Sequence, residues 1–249
     1  MMLKVVSFNI RNCNDTNGNS VAERAPRLYN AIAPIKPDLI GLQEYKEHWA
    51  EHINKYFSKE YDMLIKWRSS DFDEESVPLL WRKDKFECID SGCFWLSDTP
   101  NVESKGWDEI YDCYRICAYV VLKDKTTGET FTFMNTHFGF GDNGQVASAQ
   151  LIADFSKNKK MVLTGDFNMT PGSLGYKKIS ESLIDVNAAT AKNNTSTFHG
   201  YEPDKNTDVL IDYCFITNQI KPISYSVIDS LTDGKYPSDH YGILAEIEI

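Results

Sequence analysis

Polar residues of the types that bind cations and move protons recur where the apolar, strand-like runs of this 249-residue chain end. "SFNI" ends the first run on Asn9, "LIGLQE" ends on Gln43 and Glu44, "TFMNTH" on Asn135 and His137, and "VLTGDFN" on Asp166 and Asn168. "VLIDYCFI" embeds Asp212 in an apolar run, and "YPSDHYGILAEIEI" sets Asp239 and His240 just before the last one. A bare carboxylate at a buried strand end is costly unless it is paired, solvated or bound to a cation. Six such events suggest strand ends converging on one site. Carboxylate and carboxamide oxygens with few thiols or histidines suit Mg²⁺, Mn²⁺ or Ca²⁺.

Taken singly, each residue has a plainer explanation. Asn9 can be a strand-end turn residue, Glu44 the N-terminal charge of the next helix, and Asp166 and Asn168 Asx-turn formers. His137 can be a satisfied core histidine, Asp239–His240 a loop pair, and Glu75 and Arg115 surface or strand-edge charges. Asp212 is harder to explain away, because an unpaired buried charge is expensive. His48, His52 and His199 read as solvent-facing, and Trp81, Trp95 and Trp107 as core.

The elements that must position these residues follow from periodicity. Strands are expected at 3–10, 37–44, 61–67, 77–82, 86–96, 115–123, 130–136, 161–165, 209–217, 223–228 and 241–249. Helices are expected from Ser20, a cap with Glu23 three residues on, through "VAERAPRLYNAIAPI", and then over 47–57, 144–157 and 173–183. "KDKTTGE" between two strands signals a hairpin. Many strands with fewer helices point to a two-sheet α/β sandwich more than to a Rossmann fold. No GxGxxG follows a strand, and no P-loop pattern is present. Without repeats, low-complexity tracts or a long linker, residues 1–249 read as one domain.

Composition sets further bounds. Hydrophobic residues make up 42%, enough for a sizeable core. No run approaches the roughly 20 apolar residues of a membrane helix, and "MMLKVVSFNI" lacks a leader's features, so a cytoplasmic protein is expected. The six cysteines form no CxxC pair and read mainly as buried free thiols in a reducing compartment. A net charge of −10 opposes sequence-blind binding to nucleic-acid backbones and suits a site that concentrates divalent cations.

In this order, "SFNI", "LQE", "NTH", "GDFN", "IDY" and "SDH" resemble the endonuclease/exonuclease/phosphatase superfamily, the deoxyribonuclease I-like fold. The resemblance runs from about residue 3 to the end. "FWLSDTP" followed by "GWD" resembles a bacterial-type branch. It implies a four-layer sandwich, two mixed β-sheets face to face with helices outside. It also implies that Glu44 is the principal metal ligand, with Asn9 beside it and Asp239 completing the shell directly or through water. Asp166 and Asn168 match groups that position or deprotonate the attacking water and hold the phosphate. His137 matches a donor to a phosphate oxygen, and Asp212 and His240 an Asp–His pair. Glu75 sits where some members place a glutamate that orients the other histidine, and Arg115 matches an arginine near the site. Many members carry an Arg in the helix after "NTH", where this chain has Gln145.

These readings lead to an expected Mg²⁺-dependent hydrolase of phosphate esters, Mn²⁺ or Ca²⁺ being possible substitutes. A phosphodiesterase, including a nuclease, is the first expectation. A phosphomonoesterase of a small or lipid-derived phosphate and a non-catalytic phosphate-binding member are the alternatives. The partner is a phosphate-ester substrate, namely a small molecule, nucleotide or nucleic acid. No obligate protein partner is evident and a monomer is expected. Specificity is expected in loops 11–22, 68–76, 97–114, 138–146 and 196–208.

Overall fold

The structure, a computed structural model, describes residues 1–70, 74–205 and 208–249; parts of the expected specificity loops, 71–73 and 206–207, lie outside these described residues. Two six-stranded sheets form its centre. In chain order the first holds β1 (Met2–Asn9), β2 (Leu39–Gln43), β3 (Tyr61–Leu64), β4 (Leu79–Arg82), β11 (Lys221–Ile228) and β12 (Gly242–Glu248). The second holds β5 (Phe86–Trp95), β6 (Ile116–Asp124), β7 (Thr130–His137), β8 (Met161–Asp166), β9 (Ile184–Asp185) and β10 (Asp212–Ile216). Their spatial orders are β11-β12-β1-β2-β4-β3 and β5-β6-β7-β8-β10-β9.

The period-2 alternation of each central strand explains the layering. On β1, Leu3 and Val5 enter the core between the sheets, while Val6 and Phe8 face outward. The outer face of the first sheet is covered by α1 (Val21–Ile32) and α2 (Ala50–Phe57), through Leu28, Ile32, Ile53 and Phe57. On β8, Val162 faces inward and Met161 and Leu163 outward, against α3 (Asp142–Ser156) and α4 (Leu174–Ser180). The result is the expected helix–sheet–sheet–helix sandwich. Among the described residues no helix is long and apolar enough to cross a membrane.

Each sheet carries one parallel pair in its interior, β1 with β2 and β7 with β8. Parallel neighbours end at the same edge. In the second sheet His137 pairs with Asp166, and Asp166 with Asp212 at the start of antiparallel β10, which sets three expected site residues in one row. Antiparallel β12 starts opposite the end of β1, where Ser7 pairs with Ile243, so Asp239 and His240 arrive near Asn9.

A buried polar layer separates the apolar core from this edge. Asn135 Oδ1 accepts from Gln43 Nε2 at 2.7 Å and Thr164 Oγ1 at 3.1 Å, and its Nδ2 donates to the carbonyls of Leu42 at 2.7 Å and Pro78 at 3.0 Å. Gln43 and Asn135, strand-end polar residues in sequence, therefore tie the sheets together. The sheets approach closely here: a Cβ on Gly41 would lie 2.2 Å from Thr164 Oγ1.

Several expectations need correction. The first helix becomes a 3-10 turn at Ala33–Ile35, and its capping box is present, Ser20 N donating to Glu23 Oε2 at 3.1 Å. The strand expected over 61–67 ends at Leu64, and the one expected from 209 starts at Asp212. The short β9 and α5 (Val186–Ala189) were not foreseen. His199 is fully buried, not solvent-facing, packed against the rings of Tyr236 and Tyr241 with centroids 4.5 and 4.3 Å away. Burial lowers its pKa to about 4. Tyr236 and Tyr241 lie over 30 residues away in sequence, so their cover over the ring leaves no local pattern. All six cysteines are free; Cys117 and Cys214 are buried as expected, whereas Cys13 and Cys88 are exposed.

Candidate active site

The strand ends bring together Asn9, Glu44, His137, Asp166, Asp212 and His240. Asn9 donates Nδ2 to Glu44 Oε1 at 3.0 Å and to Asp166 Oδ2 at 2.9 Å, so one amide joins the two sheets. Its Oδ1 accepts from Arg11 N at 3.0 Å. In this arrangement Asn9 links two acids and turns its nitrogen, not its oxygen, toward Glu44. Asp166 Oδ1 accepts from Asn168 N at 3.0 Å, an Asx turn, while Asn168 Nδ2 donates to Phe138 O at 3.0 Å. Gln145, in the helix position where an Arg was absent, holds Gly139 O at 3.1 Å and Asn168 O at 2.8 Å.

Three of the site's residues take left-handed backbone. Arg11, Glu44 and Asn168 take φ of 55°, 58° and 48°. Asn tolerates this region, but Arg and Glu do so at a cost of order 1–3 kcal/mol each, which the surrounding packing must offset. Arg24 supplies part of that support. Fully buried and stacked 5.0 Å from the Trp49 ring, it donates to the carbonyls of Ile10, Arg11 and Cys13 and so shapes the turn after Asn9.

Asp212 Oδ2 lies 3.0 Å from His240 Nδ1, and the ring's Nε2 is 3.7 Å from Asp166 Oδ2. Burial alone would lower the pKa of His240, but Asp212, with Asp166 and Asp239 beyond it, pushes it up to about 10. Burial, reinforced by the Asp212 charge, pushes Asp166 up to about 7. His137 shows the opposite behaviour: burial, with the charges of Arg115 and Arg68, holds its pKa well below the usual value. Its Nε2 is 3.6 Å from Asp166 Oδ2 and its Nδ1 is 3.8 Å from Glu75 Oε2, too long for a hydrogen bond.

Two groups of oxygens could hold a cation. Asp166, Asp212 and His240 place ligand atoms within 4.8 Å of one another. Asp212 and His240 are already hydrogen-bonded to each other, and a protonated imidazole offers no lone pair. Glu44 is different. It accepts only from Asn9 Nδ2 and from Asn12 N at 2.9 Å, and among the described residues it has no cationic partner. Burial, with the charges of Glu75 and Asp239, raises its pKa. A half-buried carboxylate facing further carboxylates, without a cation of its own, fits a hard divalent ion better. Asp239 stands nearby with both oxygens engaged, its Oδ2 accepting from Arg11 Nη1 at 2.7 Å and its Oδ1 from Ser238 Oγ at 3.2 Å.

Glu75 and Arg115 lie beside this cluster and are both engaged. Glu75 accepts from Asn12 Nδ2 and, at 3.0 Å, from Arg68 Nη1. Arg115 donates Nε and Nη2 to Asp108 Oδ2 at 3.2 and 3.1 Å. Arg11, Asn12, Arg68 and Asp108 were not foreseen. Arg11 and Asn12 follow Asn9 closely enough for proximity to have flagged them, whereas Arg68 and Asp108 sit in long polar loops without a local signal.

The endonuclease/exonuclease/phosphatase family model matches residues 6–240. An endonuclease/exonuclease/phosphatase family protein from Bacteroides thetaiotaomicron superposes with a TM-score of 0.90 at 30% identity, covering 99% of this chain and 97% of that one. The mannosyl-6-phosphatase of the same organism superposes with a TM-score of 0.88 at 30% identity, covering 99% of this chain and 100% of that one. An uncharacterized protein of Acanthamoeba polyphaga mimivirus is 27% identical over 196 residues, 74% of this chain and 73% of its own. With a match that takes in both sheets and every strand end of the site, the chain belongs to the endonuclease/exonuclease/phosphatase family.

Proposed function

We propose that the protein is a divalent-metal-dependent hydrolase of phosphate esters and that this cluster is its active site. The observation that carries the proposal is the buried pairing of a proton-holding His240–Asp212 with a carboxylate, Asp166, whose pKa sits near neutrality. A group half ionised near pH 7 is matched to accept a proton from water. Of the rival bases, Asp166 is the better supported, because the Asp212 carboxylate on Nδ1 favours the protonated form of His240 and suits that ring to donate. Water adds to phosphorus as the ester P–O bond breaks, and its proton passes to Asp166. His240 and His137 donate to phosphate oxygens, with Asn168 positioned beside Asp166 by the turn they share. Glu44, oriented by Asn9 and with Asp239 beside it, would hold the cation, which when bound would polarise the phosphate and offset the charge that develops on its oxygens.

Within that class, similarity to a mannosyl-6-phosphatase over nearly the whole chain favours a small phosphate monoester over the diester expected from the motifs. The net charge of −10 agrees, since a polyanionic substrate would be repelled. The deciding experiment compares hexose 6-phosphates, nucleotides and bis-p-nitrophenyl phosphate under Mg²⁺, Mn²⁺ and EDTA. Metal-dependent release of phosphate from monoesters is expected. Turnover that survives EDTA would overturn the metal, and faster diester than monoester hydrolysis would restore the phosphodiesterase.

A further inference from the structure

Arg11 follows Asn9 by two residues, and its guanidinium joins two carboxylates. Nε and Nη2 grip Asp15 as a fork, the latter at 3.0 Å, while Nη1 donates to Asp239 Oδ2 at 2.7 Å. The ring of Tyr201 lies over the guanidinium, its centroid 5.9 Å away. The Arg11 backbone is placed as firmly. Its N–H donates to Asn9 Oδ1, and its carbonyl accepts from Arg24 Nη2 at 3.0 Å and Trp49 Nε1 at 3.1 Å. Asp239 is fixed from its own side. Its carbonyl accepts from the N–H groups of His199 and Gly200 at 2.9 and 3.0 Å, and its Oδ1 from Ser238 Oγ at 3.2 Å.

An exposed ion pair of this kind would be worth little. Here the Asp239 side chain is only 8% exposed, and the arginine is held by a fork, a ring face and its own backbone. Glu44 is the contrast. Each of its oxygens accepts one N–H, from Asn9 and from Asn12, and no cationic side chain among the described residues pairs with it. Of the two carboxylates expected to face the cation, one already has its charge matched and the other does not. A guanidinium and a divalent ion would compete for the same Asp239 Oδ2. Direct ligation would strand the Arg11 charge beside the ion, whereas a contact through water leaves the Arg11–Asp239 pair intact.

We propose that Arg11 reserves Asp239, so that this carboxylate reaches the cation through water while Glu44 contacts it directly, and that the site thereby favours Mg²⁺ over Ca²⁺. Mg²⁺ keeps several of its waters and is commonly bound through one or two carboxylates; Ca²⁺ takes about six to eight oxygens and gains more from each protein ligand added. Arg11 is thus a positioning residue that sets which ion the site prefers. The inference rests on the reading of the cluster as a metal-dependent hydrolase.

The test titrates the full chain, stripped of metal, with Mg²⁺ and with Ca²⁺ in a calorimeter. Wild type, Arg11→Met, Asp239→Asn and the double variant are compared, with thermal melts to establish that each folds. Arg11→Met frees Asp239 to ligate, and should tighten Ca²⁺ binding by about 10- to 100-fold and Mg²⁺ binding by about 10-fold or less. In the Asp239→Asn background the same change should bring only a small part of that gain. A merely repelling charge would act in both backgrounds, whereas a reserved carboxylate acts in one. Equal gains in both backgrounds, equal gains for both ions, or no gain would overturn the proposal. A Mn²⁺-soaked crystal of the wild type decides the geometry even if the variants do not fold. Arg11 still on Asp239, with no Asp239 oxygen within the roughly 2.0–2.6 Å of a direct ligand, upholds the proposal. Asp239 in direct contact with the ion and Arg11 turned away overturns it while leaving the metal-dependent reading intact. A wild type that binds neither ion fails that reading, and this inference with it.

Discussion

Asp212→Asn tests the electrostatic core of the site. The wild-type carboxylate lies 3.0 Å from His240 Nδ1 and is the leading cause of the ring's rise from 6.5 to about 10, against a burial effect of opposite sign. With that charge gone, burial dominates, and the ring should titrate at or below 6.5. A fall from about 10 to 6.5 corresponds to about 5 kcal/mol of lost preference for the protonated ring. At pH 7 the imidazole becomes largely neutral, and the proton it offers a phosphate oxygen is no longer firmly held. We expect kcat to fall by about 10²–10⁴-fold, the range for losing a positioned proton-transfer group. Stability at pH 7 should fall by up to about 4 kcal/mol, because the linkage contribution of a ring shifted from 6.5 to about 10 is lost with the carboxylate. The pH dependence has a definite sign. A folded pKa above the unfolded one gives stability that is fully present below pH 6.5 and lost as pH rises toward 10. The variant should lack that downward slope, so the two stability curves converge at high pH. Histidine-labelled NMR titration and urea melts at several pH values check both points. A variant ring that still titrates near 10, or an unchanged kcat, would refute the reasoning.

Asp166→Asn should abolish most turnover, again by about 10²–10⁴-fold, while retaining the fold and substrate binding; a wild-type kcat would reduce Asp166 to a turn residue. In the metal-free protein Asp166 should also make stability decline as pH rises from 3.8 through about 7, since its raised pKa means the folded state binds the proton more tightly; the Asn variant, melted over that range, should show a flatter profile. Glu44→Gln should weaken Mg²⁺ binding and activity together, because it removes the carboxylate that lacks a cationic partner; a Mn²⁺-soaked crystal with its anomalous peak far from Glu44 would contradict this. Gly41→Ala should cost about 1–3 kcal/mol in a thermal or urea melt, through overpacking where its Cβ would meet Thr164 Oγ1 at 2.2 Å.

Much of the fold could be read locally. The apolar runs "LKVVSFNI" and "MVLTGD" predict strands, and the structure puts Leu3 and Val5 on one side of the first and Val6 and Phe8 on the other. The polar residues ending those strands were legible for the same reason: a period of two that delivers Asn9 and Asp166 to the inner face breaks an apolar pattern visibly. Elements too short to show a period, such as β9 and α5, were not. Nor was the burial of His199, which depends on rings brought in by distant segments.

What sequence determined by itself, then, was the family and the layered architecture, because both are written in spacing along one strand or in an ordered set of motifs. The tertiary structure decided the partners. Whether Asp166 or the Asp–His pair takes a proton depends on burial and on charges from strands far apart in sequence, and Coulomb interactions act through space, not along the chain. For the same reason only the folded chain shows Arg11 on Asp239, Asn9 bridging two sheets, and Arg68 meeting Arg115 and His137 in one cavity.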